Sequence, residues 1–240
     1  MNTPLPHLDT SKLSRVLCVV AHPDDMEYGT SAAVAELTAA GVQVSYLLIS
    51  AGEAGIRGHT PEQTARIRRQ EQQLACESVG VGALDILDFP DGLIQPTLEL
   101  RQAIASQIRH FRPEAVMTMT WELEVDWGLN HADHRHVGLA TVDAIRDADN
   151  PWLFPELLEQ GLEPWTTRHL WVAATPNPTA AIPVSADAVD RAVASLSCHQ
   201  FYLNSLTKHP APEDFIPQLL RAGGQAAGTD YAVTFTVYEL

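Results

Sequence analysis

The feature that most constrains this chain is a repeated couplet, a short apolar run followed by a segment of helix length. Residues Arg15–Val20 (RVLCVV), 42–50 (VQVSYLLIS), 84–89 and 115–120 (AVMTMT) have strand length and little polar alternation. Such runs suit strands covered on both faces. Helix-forming segments follow them at residues 30–40, Pro61–Val79 and 97–111, and residues 131–147 read as a loop leading into a helix. The first is alanine-rich and stops at Gly41. The second opens on Pro61 and ends at Gly80, the punctuation of a helix start and stop. The third sets Leu98, Ile104 and Ile108 among polar residues. Strands joined through helical crossovers pair in parallel, and right-handed crossovers cover both sheet faces. The expected fold is therefore α/β: a Rossmann-like, mainly parallel sheet with helices on both faces.

Beyond residue 150 the couplet weakens. Residues 169–175 and 180–185 read as two more strands, 187–199 as a helix and 231–240 as a terminal strand. This is a small C-terminal α/β extension, with residues 151–240 expected to shape the substrate pocket. Residues 1–14 carry Pro4 and Pro6 and read as a loose arm. The whole of 1–240 fits a single domain.

Lys and Arg number 15 against 30 Asp and Glu, a formal net charge of −15. That field repels duplexes and anionic membranes, so neither nucleic acid nor membrane is an expected partner. The three cysteines, Cys18, Cys76 and Cys198, form no CxxC and imply no disulfide framework. The polar N-terminus and the lack of a run of ~20 apolar residues point to a cytoplasmic chain acting on a small molecule. The oligomeric state is left open, a homo-oligomer included.

In an open α/β sheet, ligands bind beyond the carboxyl ends of the strands. The first run leads straight into Ala21-His22-Pro23-Asp24-Asp25, and the fourth is followed by His131-Ala132-Asp133-His134-Arg135-His136. Histidine and aspartate are ordinary zinc ligands, and catalytic zinc takes three protein ligands and keeps one position open. His131 and His134, three apart, share a helix face, which His136 leaves. Three of His22, Asp25, His131 and His134 suffice to bind zinc, with Asp24 free as a base. Two histidines and a carboxylate also suit ferrous iron. The bland alternative has Asp24 and Asp25 capping the next helix.

AHPDD after an apolar strand, then HxDH about a hundred residues later, resembles the LmbE/PIG-L-type zinc N-deacetylases. The order of intervening features also resembles that family: a Gly-rich loop over residues 52–58, Arg68-x-x-Glu71, and Pro90-Asp91-Gly92. The resemblance implies His22, Asp25 and His134 as zinc ligands and Asp24 as general base. It implies a protonated His131 acting at the carbonyl oxygen, with Asp133 orienting or tuning it. Arg68 is implied to hold a substrate polar group, against the simpler reading of an ion pair with Glu71. Asp91 is implied to touch a sugar hydroxyl, or else to shape its turn. The implied reaction is removal of an acetyl group from a GlcNAc-type amino sugar or its conjugate. Departures are Ala132 in place of proline and Cys198-His199-Gln200 where the family often has HxSQ. A thiol-conjugate-type amidase and a non-catalytic sugar- or nucleotide-binding protein are the alternatives. The second would call for GxGxxG where this chain has AHPDDMEYG.

Overall fold

The structure, a computed structural model, describes residues 3–240. Its first half follows the couplet. β1 (Arg15–Val20), α1 (Ser31–Ala39), β2 (Gln43–Leu48), α2 (Pro61–Val79), β3 (Ala83–Ile86), α3 (Leu98–Phe111) and β4 (Ala115–Met119) come in that order. A two-strand hairpin, β5 (Glu124–Val125) and β6 (Gly128–Leu129), precedes α4 (Ala132–Asp149) and the short α5 (Pro155–Glu159). Then come β7 (His169–Ala173), β8 (Ala180–Pro183), α6 (Ala186–Ser197), α7 (Gln200–Ser205), α8 (Pro212–Ala227) and β9 (Ala232–Glu239).

Seven strands form one sheet in the order β3-β2-β1-β4-β7-β9-β8. β1 pairs in parallel with β2 on one side and β4 on the other, with Val16 opposite both Val44 and Ala115. β7 continues the parallel run, and β9 lies antiparallel between β7 and β8. The C-terminal part therefore extends the same sheet.

Successive residues of β1 serve opposite cores. Val16, Cys18 and Val20 pack in the cluster that takes in α1 and α6, while Leu17 and Val19 pack in the one that takes in α3 and α4. This is why the run shows no polar alternation. The chain turns back across β1 to reach β4, so the sheet has a topological switch point between these two strands. The crevice at their carboxyl ends is where such a sheet binds its ligand.

Two parts of the fold differ from expectation. The N-terminal segment is docked: Leu5 N–H donates to Ala226 O (2.8 Å), Leu8 N–H to Ala181 O and Ala181 N–H to Pro6 O (both 2.9 Å). It supplies the edge strand β8 with a partner and so shields an open edge. Helix α8 lies where no helix was expected, and it holds Pro217 and the Gly223-Gly224 pair, residue types that ordinarily break helices. Here the glycines permit close approach, since a Cβ at Gly223 or Gly224 would collide with backbone carbonyls of residues 229–232. Among the described residues, no helix is long and apolar enough to cross a membrane.

Candidate metal centre

β1 delivers His22, Asp24 and Asp25 to the crevice, and α4 delivers His131 and His134. His22, Asp25 and His134 each offer a ligand atom, and these atoms lie within 4.8 Å of one another. His22, His131 and Asp133 satisfy the same geometric condition. Hydrogen bonds favour the first set.

Asp25 Oδ2 accepts the backbone N–H groups of Ala21 (3.0 Å) and His22 (2.9 Å), leaving Oδ1 to face His134 Nε2 at 3.0 Å. His134 Nδ1 lies 3.0 Å from Asn130 Oδ1, so the N–H goes to the amide oxygen and Nε2 keeps its lone pair. His22 Nε2 lies 3.1 Å from both Asp133 Oδ2 and Asp91 Oδ1, while its Nδ1 is 3.6 Å from Asp25 Oδ2. An N–H shared by two carboxylates leaves Nδ1 as the lone pair on the Asp25 side. Each donor is thus oriented from behind, as a metal ligand is. Two imidazoles and a carboxylate make a donor set that fits a divalent cation.

The charges agree with that fit. Burial works against a proton on either ring, but the Asp25 carboxylate, aided at His22 by Asp133 and Asp91, raises both His22 and His134 above the usual histidine range. Asp25 is opposed by burial, yet His134 and His22 hold it well below the usual carboxylate range. A cation would take the place of those protons.

Asp24 stands apart from its neighbour. Its backbone has φ +83°, an unusual conformation for a residue with a Cβ. Its N–H donates to Gln72 Oε1 (2.9 Å), and its Oδ1 lies 3.0 Å from Arg68 Nη2. Burial pushes its carboxyl up to about 6, against the pull of Arg68. Arg68 also donates to Pro23 O (2.5 Å) and stacks its guanidinium 4.0 Å from the Tyr202 ring centre. It pairs with Asp24 and not with Glu71, whose Oε1 accepts the Phe201 N–H (2.5 Å). Gly52 has φ +63°, and a Cβ there would strike the Arg68 guanidinium, so the Gly-rich loop is shaped to this arginine.

His131 is exposed and caps α4, its Nδ1 accepting the Asp133 N–H (3.2 Å). Burial and the neighbouring His22 charge lower its pKa. With Nδ1 engaged as the cap acceptor, Nε2 is the ring nitrogen left to face the crevice as a donor. Asp133 meets His131 through its backbone N–H and its charge, while its carboxylate accepts from Gly92 N–H (2.7 Å), Ile94 N–H (3.2 Å) and His22. Asp91 shapes its turn, accepting the Ala54 N–H (2.7 Å), and joins Asp133 on His22. His136 points elsewhere, its Nδ1 2.6 Å from Ile94 O.

Sequence reasoning missed Asn130, Gln72 and Tyr202. Asn130 sits next to the HxDH motif, a signal available in the sequence. Gln72 and Tyr202 carry none, since only the fold brings them to Asp24.

The family model for GlcNAc-PI de-N-acetylase (PIG-L) matches residues 17–145, more than half the chain. The chain belongs to the PIG-L family. All six site residues of the AHPDD and HxDH segments fall inside that match. Among curated PIG-L relatives, the diacetylchitobiose deacetylase of Thermococcus kodakarensis is 31% identical over 178 residues. That alignment takes in 72% of this chain and 64% of the relative, so the chain spans under two thirds of it. Among solved structures, an N,N'-diacetylchitobiose deacetylase from Pyrococcus horikoshii superposes with a TM-score of 0.85 at 22% identity. The superposition covers 96% of this chain and 85% of the other. GalB, a 4-carboxy-2-hydroxymuconate hydratase from Pseudomonas putida, superposes at 0.75 with 16% identity over 95% and 97% of the two chains. A deacetylase and a hydratase thus share this PIG-L-like fold, and the reaction must be argued from the site.

Proposed function

We propose that this chain is a zinc-dependent N-deacetylase acting on a GlcNAc-type amino sugar or its conjugate. The observation that carries the reading is the divergence of the adjacent carboxylates. Asp25 turns to the two imidazoles, while Asp24 is held by Arg68 outside the three-donor set. The curated relative named above is a diacetylchitobiose deacetylase, which supports an acetamido sugar as substrate.

His22, Asp25 and His134 would hold the cation, which when bound supplies Lewis acidity toward water and the amide carbonyl. Asp24 takes a proton from the attacking water as general base. His131 donates its Nε2–H to the carbonyl oxygen as negative charge develops there, and loss of one such donor typically costs ~3 kcal/mol of barrier. Asp24 then returns the proton to the leaving nitrogen as the C–N bond breaks, giving acetate and a free amine. Arg68 and Asp91 are assigned to the sugar as well as to Asp24 and His22, through whatever hydrogen-bonding capacity those contacts leave. The net charge of −15 disfavours an anionic substrate.

The test is acetate and amine release by zinc-loaded and ferrous protein from N-acetylglucosamine, N,N'-diacetylchitobiose and a thiol conjugate of an N-acyl amino sugar. Acetate released in step with amine from the acetamido sugars supports the reading. Turnover confined to the thiol conjugate would assign a different amidase. No turnover by either metal form would remove the proposal.

A further inference from the structure

Asp24 is tied to the C-terminal part of the chain through a line of buried polar groups that the proposed reaction does not use. Its backbone N–H donates to Gln72 Oε1 (2.9 Å). Gln72 Nε2 donates to Glu27 Oε1 (3.2 Å), which also accepts from Ser195 Oγ (3.3 Å). Glu27 Oε2 lies 3.6 Å from His199 Nε2. Glu27 and His199 are both 0% exposed and Gln72 is 1% exposed. Among the described residues, neither nitrogen of His199 nor Glu27 Oε2 has a hydrogen-bond partner, so the two groups chiefly face each other.

A buried carboxylate–imidazole contact of this kind is poor stability engineering, because apolar residues of similar volume often serve as well or better. Its geometry indicates another role. A side-chain amide can face either way, but a carboxylate only accepts hydrogen bonds. Glu27 therefore selects the Gln72 orientation that puts Nε2 toward itself and Oε1 toward Asp24. Asp24 needs that acceptor, since its N–H is buried away from water and a buried donor left unpaired is costly. His199, at the junction of α6 and α7, faces Glu27 from a segment outside residues 17–145.

We propose that Glu27 and His199, acting through Gln72, are positioning residues for Asp24, so that the C-terminal helices complete the site. This rests on the assignment of Asp24 as base.

The test uses the zinc-loaded full chain and the double substitution Glu27→Leu with His199→Leu. The expected result is a kcat about tenfold lower with KM within about twofold, since small misplacement of a reacting group costs rate before binding. One metal per chain should remain, with Tm unchanged or raised. Hydrogen exchange at the Asp24 amide should be about tenfold faster, because its acceptor is no longer fixed. Glu27→Gln, which keeps an oxygen for Gln72 Nε2, should recover most of the kcat. A kcat within twofold of wild type, unchanged Asp24 exchange, or loss of metal alongside raised KM would overturn the proposal. If the double variant does not fold, Gln72→Leu is read by the same criteria. Should wild type turn over no acetamido sugar, the proposed reaction fails, while exchange at Asp24 still decides whether the line of contacts acts on it.

Discussion

Asp24 and Asp25 are neighbours with the same side chain, yet their carboxyls move in opposite directions. Asp25 is held well below the usual range by two imidazoles, while burial lifts Asp24 to about 6. This separation fits one ligand and one base. Asp24→Asn should keep its metal and lose turnover by about 10² or more, measured as acetate release beside metal content. Near wild-type turnover would remove Asp24 as the base. A second expectation concerns the metal-free chain. A carboxyl raised in the folded state contributes stability that is complete below its unfolded pKa and is lost as pH rises through the folded one. Relative to wild type, metal-free Asp24→Asn should therefore gain in Tm from about pH 4 to about pH 7. A constant difference across that window would contradict the burial argument. The histidines give a third expectation. Without metal, the carboxylates around His22 and His134 raise both rings above the usual histidine range, whereas a ligand must be neutral. Zinc binding should release protons, and affinity should increase with pH until the raised values are passed. Calorimetry in two buffers of different ionisation heat reads this directly, and identical heats would refute it.

The elements supply the orientation. α4 begins at the site, so its first turn carries both His131 and His134, and Asn130 just before it joins two tasks. Its Nδ2 donates to Thr120 O (2.8 Å) and Glu122 O (3.0 Å) at the base of the β5–β6 hairpin, while its Oδ1 accepts from His134. Asn130→Ala should weaken metal binding by about 10–100-fold, the usual consequence of losing an outer partner of a ligating histidine. Competition with a chelator checks it, and unchanged affinity would mean that packing alone orients the ring. The Gly-rich loop is an element of the same kind. Gly52→Ala combines a positive φ with a collision against Arg68, so it should cost at least about 1 kcal/mol of stability and lower kcat through Arg68 and Asp24. A variant as stable and active as wild type would show that the loop re-forms freely.

At the scale of the molecule, the site exists because β4 pairs beside β1 while β2 and β3 lie on the far side. That single crossing brings position 22 to position 134. The docked N-terminal segment belongs to the opposite edge, at β8. Deleting residues 1–9 should lower Tm by several degrees, at about 2–4 °C per kcal/mol for a chain of this size, without altering metal affinity. Thermal unfolding paired with metal titration separates the two effects.

The sequence alone determined the four strand-and-helix couplets between residues 15 and 149, though not the β5–β6 hairpin, because near-continuous apolar runs and helices punctuated at Pro61 and Gly80 are local properties. It also marked out the candidate residues, since the two motifs follow strands at whose ends an open sheet binds ligands. Local signals failed where tertiary contact overrode them. Pro217 and two glycines sit within α8, and prolines at 4 and 6 lie in a segment that pairs with β8. Only the folded chain decided which carboxylate serves which imidazole, that Asp133 holds His22, and that His131 Nδ1 caps α4. It also placed Arg68, Gln72, Glu27 and His199 in line with Asp24. Those relations are distances between residues up to 175 positions apart, and no pattern along a chain encodes a distance across it.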